Sequence, residues 1–147
     1  MPIRPERMSR YPGGSIRSPE WKAIVAAVGE RSGWKCEACG VPHKAWIWRG
    51  RGIHEGLYRI ETSEVFDEDS GEPRGTIGYA MFRSPPAVEI ILTVAHFDHD
   101  ETNNNLANLR HWCQLHHNRH DAPHRAAGIA ARRRQGSAGG DLFEGGR

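Results

Sequence analysis

The first regular pattern of apolar positions lies in SPEWKAIVAAVGERSG, which begins at Ser18. Its apolar side chains recur at the three- and four-residue spacing of one helix face: Trp21, Ile24, Val25 and Val28. Ser18 is of the type that caps helix N-termini, and Pro19 suits the first helical position. Gly33 follows the last turn and is typical of a helix end. The segment therefore predicts a helix that begins at Pro19 and ends near Gly33.

Apolar and polar residues alternate in the middle of the chain, which is typical of strands. Within residues 44–86, LYRIETSEVF and TIGYAMF predict two strands joined by the acidic turn DEDSGEPRG. AVEIILTVAHF is the strongest strand pattern in the chain, and the polar DHDETNNNLAN after it predicts a loop. CQLHHNRHDAPHRAAGIAARRR predicts a second helix, with Pro123 as a point of interruption. These elements indicate the α+β class.

Composition and charge change at both ends of the chain. Residues 1–18 are rich in Pro, Gly and Arg and predict a basic extended arm. Residues 19–135 are predicted to form the folded domain, and the Gly-rich residues 136–147 a disordered tail. The net charge is only +2, but residues 110–134 hold six arginines and one acid. Such basic ends favour a phosphate-rich partner.

The cellular location of the protein and the size of its core indicate whether the cysteines bind a metal or form disulfides. The chain has no apolar run long enough to cross a membrane, and its N-terminus lacks the apolar core of a signal peptide. We therefore expect no membrane partner and a cytoplasmic location, where a C-x2-C pair indicates a metal more often than a disulfide. Hydrophobic residues make up only 37% of the 147 residues, so an additional staple would help a small core.

The three cysteines and one histidine form two half-sites of equal spacing: Cys36-x2-Cys39 and Cys113-x2-His116. Zinc prefers four tetrahedral ligands of sulfur or imidazole, often supplied in such pairs. The pairing predicts a structural Zn²⁺ site. Two other histidines are rival fourth ligands, because His43 lies close after the first pair and His120 lies one helical turn beyond the second.

LTVAHFDHDETNNNLANLRHWCQLHHNRHD resembles the core of the HNH endonucleases. That family has a histidine on a strand, then a loop, then Asn-Leu, then Cys-x2-Cys-His at the start of a helix. The matching positions here are His96, Asn108-Leu109 and Cys113-x2-His116-His117. KCEACG is similar to the first half of the zinc knuckle in many members, and residues 44–86 look like an insertion. The resemblance implies a ββα-metal (His-Me finger) core stapled by zinc, with an N-terminal helix and a β-rich insertion.

The resemblance also implies roles for individual residues. His96 would be the general base that activates water, a task that suits the ordinary histidine pKa of about 6.5. Asn108 would pin the loop and orient His96 through its side-chain amide. His117 would bind a catalytic divalent ion, Mg²⁺ or Mn²⁺/Ni²⁺. Because successive helical residues point about 100° apart, His116 can face the zinc while His117 faces the cleft.

One position departs from the family pattern. Many members carry Asp or His directly before the base as a second ligand of the catalytic ion, but Ala95 stands there in this chain. His99 in the loop is the first candidate to replace it, and the other candidates are Asp98, Asp100 and Asp121. A site rich in histidine favours a borderline metal over Mg²⁺. His111 and His124 are expected in solvent.

The function that these patterns predict is metal-dependent hydrolysis of phosphodiester bonds in DNA by an HNH endonuclease. The alternative is a catalytically silent zinc module that binds DNA or a protein partner, because Ala95 cannot bind a metal. The sequence does not determine an oligomeric state.

Overall fold

The computed structural model describes the backbone of residues 10–144 and the side chains of residues 10–136. This part of the chain is a mixed α+β fold with two α-helices and two antiparallel sheets, which confirms the predicted class. The first nine residues of the predicted basic arm, 1–9, lie outside the described residues. Residues 145–147, at the end of the predicted tail, also lie outside them.

The first helix, α1, spans Pro19–Ser32 and matches the prediction from its sequence. The Ser18 side chain accepts a hydrogen bond from the Trp21 backbone N–H at 3.1 Å, which caps the helix start. Gly33 ends the helix in the left-handed conformation with φ +66°. Trp21 and Val28 are buried, so the predicted apolar face is the face that the helix turns toward the rest of the fold.

Five short strands form one antiparallel sheet in the order β4-β3-β2-β1-β5. Their bounds are β1 Trp46–Arg49, β2 Leu57–Arg59, β3 Glu64–Asp67, β4 Pro73–Thr76 and β5 Val88–Glu89. LYRIETSEVF is thus two strands and not one, because a tight turn separates them. Ser63 donates its backbone N–H to the Ile60 carbonyl at 3.0 Å and adopts φ +75° there. TIGYAMF, the other predicted strand, leaves the sheet after Thr76.

AVEIILTVAHF, predicted as one strand, is divided between the two sheets. β5 pairs with β1, whereas β6 Thr93–His96 pairs with β7 Leu109–Trp112 in a second, two-stranded sheet. The connecting residues include Ile90 and Leu92, which are both buried in the core. The continuous apolar character of this segment therefore reflects a buried crossing between sheets.

The second helix, α2, spans Gln114–Glu144 and follows β7 directly. Pro123 lies inside the helix and does not end it. The helix extends into the range 136–147 that we predicted as a disordered tail, and the side chains beyond residue 136 are not described. Within the described range, neither helix has the combined length and apolar character that crossing a membrane requires.

The hydrophobic core is centred on the cysteines. One buried cluster holds all three thiols together with apolar residues of the five-stranded sheet and of the connecting segments: Cys36, Cys39, Val41, Ile47, Tyr58, Ile90, Leu92 and Cys113. Ile47 and Tyr58 belong to residues 44–86, called the insertion below. The insertion therefore supplies part of the core against which the cysteines pack.

Candidate functional site

The first pair of cysteines lies on a tight turn after α1. The Cys36 backbone N–H donates to the Val41 carbonyl at 2.9 Å, and the Gly40 N–H donates to the Cys36 carbonyl at 2.8 Å. Gly40 has φ +75°, a conformation that side-chain-bearing residues rarely adopt. This turn brings the sulfurs of Cys36 and Cys39 to the same side.

Cys113 and His116 lie at the junction of β7 and α2 and face that turn. The ligand atoms of Cys36, Cys39, Cys113 and His116, called the cysteine cluster below, all lie within 4.8 Å of one another. Measured separations are 3.9 Å for Cys39 Sγ–Cys113 Sγ, 3.2 Å for Cys113 Sγ–His116 Nδ1 and 3.8 Å for Cys36 Sγ–His116 Nδ1. The three thiols are buried. The arrangement is consistent with a structural metal site built from the two predicted half-sites.

The members of the cysteine cluster shift one another's pKa values in opposite directions. Hydrogen bonds from Cys113 and Cys39 hold the pKa of Cys36 far below the usual value of a thiol. The neighbouring Cys113 and Cys36 sulfurs raise the pKa of His116 to about 9. Hydrogen bonds with Cys113 and Cys36 raise the pKa of Cys39, so the negative charge on Cys36 lies beside a protonated His116. A metal ion that displaced the His116 proton would supply the positive charge that the buried sulfur needs.

The insertion covers the outer side of the cysteine cluster. The Tyr58 hydroxyl donates to the Cys39 carbonyl at 2.8 Å. A Cβ atom built on Gly71 would lie 2.4 Å from that same carbonyl oxygen, so only glycine fits the turn between β3 and β4 there. Arg49 approaches Cys113 Sγ with Nη2 at 3.8 Å. Tyr58 and Gly71 therefore contact the turn that carries the first cysteine pair, and Arg49 contacts the second pair through Cys113.

His43 and His120, the rival fourth ligands, lie outside the cysteine cluster. His43 Nδ1 accepts the Leu92 backbone N–H at 3.1 Å, and His120 Nε2 lies 2.7 Å from the Phe97 carbonyl oxygen. The structure thus places His116 with the cysteines because it lies in the first turn of α2.

His111, which we expected in solvent, is buried with a relative exposure of 1%, so that expectation was wrong. Strand alternation turns Leu109 and His111 to the same inner face of β7. The Ser32 hydroxyl lies 2.7 Å from His111 Nδ1, and the His111 backbone N–H donates to Glu37 at 2.7 Å. Burial lowers the pKa of His111, which favours the neutral ring. His124, in contrast, is exposed as expected.

A second site lies on the other side of α2, where the β6-β7 hairpin, the loop after β6 and the helix enclose a space of about 310 Å³. We call this space the cleft, and it is lined by His96, His99, Glu101, His117, Asp121, His124 and Arg125. Four residues that the sequence singled out for catalysis or the catalytic ion are therefore brought together: His96, His99, His117 and Asp121. The neighbouring histidines of α2 are directed to different sites, His116 to the cysteine cluster and His117 to the cleft.

His96 is held from two sides at the end of β6. Its Nε2 lies 2.9 Å from Asn104 Oδ1, and its ring stacks on Trp21 of α1 with a centroid distance of 6.2 Å. Sequence reasoning did not single out Asn104. The run of three asparagines in the loop was visible, but nothing in it indicated which amide would reach the ring.

Asn108 fastens the loop between β6 and β7. Its Oδ1 accepts the Asp98 backbone N–H at 3.1 Å, and its Nδ2 donates to Asp98 Oδ1 and to the Asn103 carbonyl, both at 2.9 Å. Hydrogen bonds from the Asn103 side chain and the Asp100 N–H hold the pKa of Asp98 below its usual value. Among the described residues, the amide that accepts a hydrogen bond from the His96 ring is that of Asn104 and not that of Asn108.

The Asp121 carboxylate connects the two histidines that we considered as ligands of the catalytic ion. Its Oδ2 lies 3.0 Å from His117 Nε2, and its Oδ1 lies 3.3 Å from His99 Nε2. The other ring nitrogen of His117, Nδ1, lies 2.9 Å from Thr93 Oγ1. Ala95, two residues after Thr93, is 2% exposed and presents only a methyl group.

Comparison of the chain with protein-family models, with curated proteins and with solved structures found no match. The fold and the site define a mixed α+β protein with a buried cluster of three cysteines and one histidine, beside a cleft rich in histidine.

Proposed function

We propose that this chain is a zinc-stapled, metal-dependent endonuclease of the HNH type that hydrolyses phosphodiester bonds in DNA. The observation that carries the proposal is the placement of His96 and His117 around one cleft, while His116 joins the cysteine cluster. A β-hairpin followed directly by a helix supports both positions, which is the order that the ββα-metal core requires.

The separations within the cysteine cluster support zinc as its metal. Ligands about 2.3 Å (sulfur) and about 2.0–2.1 Å (nitrogen) from a tetrahedral zinc lie about 3.8 Å apart for two sulfurs and about 3.5 Å for sulfur and nitrogen. The observed Cys39–Cys113 separation is 3.9 Å, and the two sulfur–nitrogen separations are 3.2 and 3.8 Å. These three separations differ from the tetrahedral values by about 0.1–0.3 Å, and all four ligand atoms lie within 4.8 Å of one another.

The contact to Asn104 suits His96 for the role of general base. An amide oxygen can only accept a hydrogen bond, so the proton of the neutral imidazole lies on Nε2. Nδ1 then carries the lone pair that can take a proton from water. A positioned histidine can act as a general base near neutral pH.

A divalent cation bound in the cleft would stabilise the negative charge that develops on the phosphate and on the leaving oxygen. His117 is the proposed ligand from α2, with the Asp121 carboxylate at 3.0 Å from its Nε2. Because imidazoles outnumber carboxylates in the cleft, Mn²⁺ or Ni²⁺ fits it better than Mg²⁺.

Exposed arginines on α2 support DNA as the substrate. Arg125 lines the cleft, and Arg132, Arg133 and Arg134 are exposed farther along the helix. Arg119 contributes less, because it pairs with Glu68 and Asp69 of the insertion. Arginine contacts to phosphate give affinity without reading base sequence, so this surface predicts weak sequence preference.

The test is nicking of supercoiled plasmid with added Mg²⁺, Mn²⁺ or Ni²⁺. His96→Ala should reduce the cleavage rate by about 10²- to 10⁴-fold, because a positioned general base contributes about that much. Zinc content, melting temperature and DNA affinity should stay close to wild type. The matched control is His124→Ala, which removes an exposed histidine from the same cleft and should cleave normally. Cleavage that persists unchanged in His96→Ala would disprove the mechanism.

A catalytically silent zinc module that binds DNA is the second candidate. It is favoured by the methyl group of Ala95 at the position of an expected ligand, and by the contacts of both His117 ring nitrogens with protein atoms. Salt-dependent retention on DNA, combined with no nicking by any of the three metals, would select this function.

A further inference from the structure

His99, His120 and Asp121 form a second cluster of ligand atoms, separate from the cysteine cluster. One ligand atom from each of the three lies within 4.8 Å of the other two. His99 comes from the loop after β6, whereas His120 and Asp121 are successive residues of α2. All three are partly buried, so the cluster lies where the loop packs on the helix.

The Nε2 atom of His99 is shielded from solvent and has no hydrogen-bond partner within the described part of the chain. Asp121 Oδ1 lies 3.3 Å away, but not in hydrogen-bond geometry. Two ligands that each lie about 2.1 Å from one ion are about 3.0–3.4 Å apart, depending on coordination geometry. The His99–Asp121 separation is therefore that of two ligands on a common cation. A cation would also satisfy the buried nitrogen.

His120 is oriented in the manner of a metal ligand. Its Nε2 lies 2.7 Å from the Phe97 carbonyl oxygen, which can only accept, so Nε2 carries the proton and Nδ1 the lone pair. A backbone carbonyl in this position is a common way to fix the tautomer of a metal-binding histidine. The His120 ring also stacks on the His99 ring with a centroid distance of 4.5 Å and an interplanar angle of 11°.

We propose that His99, His120 and Asp121 bind one divalent transition cation, of the class of Ni²⁺, Mn²⁺ or Zn²⁺. Two imidazoles and one carboxylate are a ligand set that selects such borderline cations over Mg²⁺. His117, proposed above as the ligand from α2, contacts the other oxygen of the Asp121 carboxylate and would complete the ligand set of the same ion. Loop and helix residues thereby supply the ligands that Ala95 cannot.

The inference rests on the proposed function for the role of the ion, because only the nuclease needs a cation beside His96. The existence of the site does not depend on that role. Binding can therefore be measured without cleavage.

The experiment is isothermal titration calorimetry of the full-length, zinc-containing protein with Ni²⁺ alone. Wild type should bind one Ni²⁺, and His99→Ala, His120→Gln and Asp121→Asn should each weaken binding by about 100-fold or more, since loss of an outer contact alone costs about 10- to 100-fold. Zinc content and circular dichroism confirm that each variant is folded. Asp121→Asn keeps the side-chain volume, so it remains informative if another variant unfolds.

His124→Ala is the matched control, because His124 stacks on His99 at 4.2 Å but is not a member of the ligand set. It should bind Ni²⁺ within a few-fold of wild type. Equal weakening by His124→Ala would indicate adsorption to a histidine-rich surface and overturn the proposal. Absence of Ni²⁺ binding to wild type would overturn it too, as would binding that His117→Ala abolishes and the three substitutions leave intact.

Nicking assays on the same variants separate this site from the proposed function. Suppose that Ni²⁺ binding requires the three residues but that the protein cleaves DNA with none of the tested metals. This result would support the metal site and refute the nuclease function. Cleavage at the wild-type rate in Asp121→Asn would sustain the nuclease and reject the site as the one that holds its ion.

Discussion

Replacement of Cys113 by serine should unfold the domain although serine has nearly the same size and shape as cysteine. Cys113 is fully buried, and its sulfur lies 3.9 Å from Cys39 Sγ and 3.2 Å from His116 Nδ1. The substitution therefore creates almost no cavity and removes one ligand of the proposed zinc. Any large loss of stability comes from the metal site and not from packing.

The loss of stability expected for Cys113→Ser can be estimated from the residues that form the core. Five apolar residues share the buried cluster with the three cysteines: Val41, Ile47, Tyr58, Ile90 and Leu92. Burial of such a side chain contributes about 1.5–3 kcal/mol, or roughly 10 kcal/mol for the five together. A structural zinc contributes about 10 kcal/mol or more at neutral pH. Domains have a net free energy of unfolding of about 5–15 kcal/mol. Loss of the zinc should therefore remove most or all of the free energy that keeps this domain folded.

The assay is thermal unfolding followed by circular dichroism, with zinc determined by elemental analysis. Wild type should carry one zinc per chain and melt cooperatively, whereas Cys113→Ser should carry much less and show no cooperative transition. The control is His116→Cys, which offers four thiolates. His116 points Nδ1 at the cluster, an atom close to Cβ, so a cysteine sulfur can take its place and the variant should keep both zinc and fold.

Two results would refute this reasoning. Wild type that is folded but contains no zinc would show that the cysteine cluster is only a packed group of thiols. Cys113→Ser that melts within a few degrees of wild type would show that the apolar core suffices without Cys113 as a ligand.

Three further predictions concern the cleft and the basic ends. His117→Ala should leave zinc content and melting temperature unchanged but weaken Ni²⁺ binding measured by calorimetry; release of zinc would mean that the His116–His117 pair is assigned in the wrong order. Asn108→Ala removes three hydrogen bonds that close the loop and should destabilise the domain by about 1–3 kcal/mol in urea unfolding. Amide exchange at Asp98 should accelerate in this variant, and unchanged exchange would contradict the role of Asn108. Deletion of residues 1–17 should lower DNA affinity for all sequences alike and reduce the slope of log affinity against log salt, because fewer counterions are released; an unchanged slope would show that the arm does not contact DNA.

The sequence by itself determined the features that depend on neighbours along the chain. The limits of α1 follow from Ser18, Pro19 and Gly33, because capping and left-handed glycine are local interactions. The two half-sites of the cysteine cluster follow from their spacing, since a tight turn or one helical turn presents both members of a pair on one side. The separation of His116 from His117 follows from the geometry of a helix.

Only the tertiary structure decided which distant residues meet. Local apolar character could not show that AVEIILTVAHF crosses from one sheet to another, because both of its halves are apolar and extended. The burial of His111 depends on α1 packing on β7, and the contact of Asn104 with His96 depends on how the loop closes. The meeting of His99 with Asp121 depends on the loop packing against the second turn of α2. Each of these contacts joins residues whose positions are set by the packing of whole elements, and periodicity along the chain carries no information about that packing.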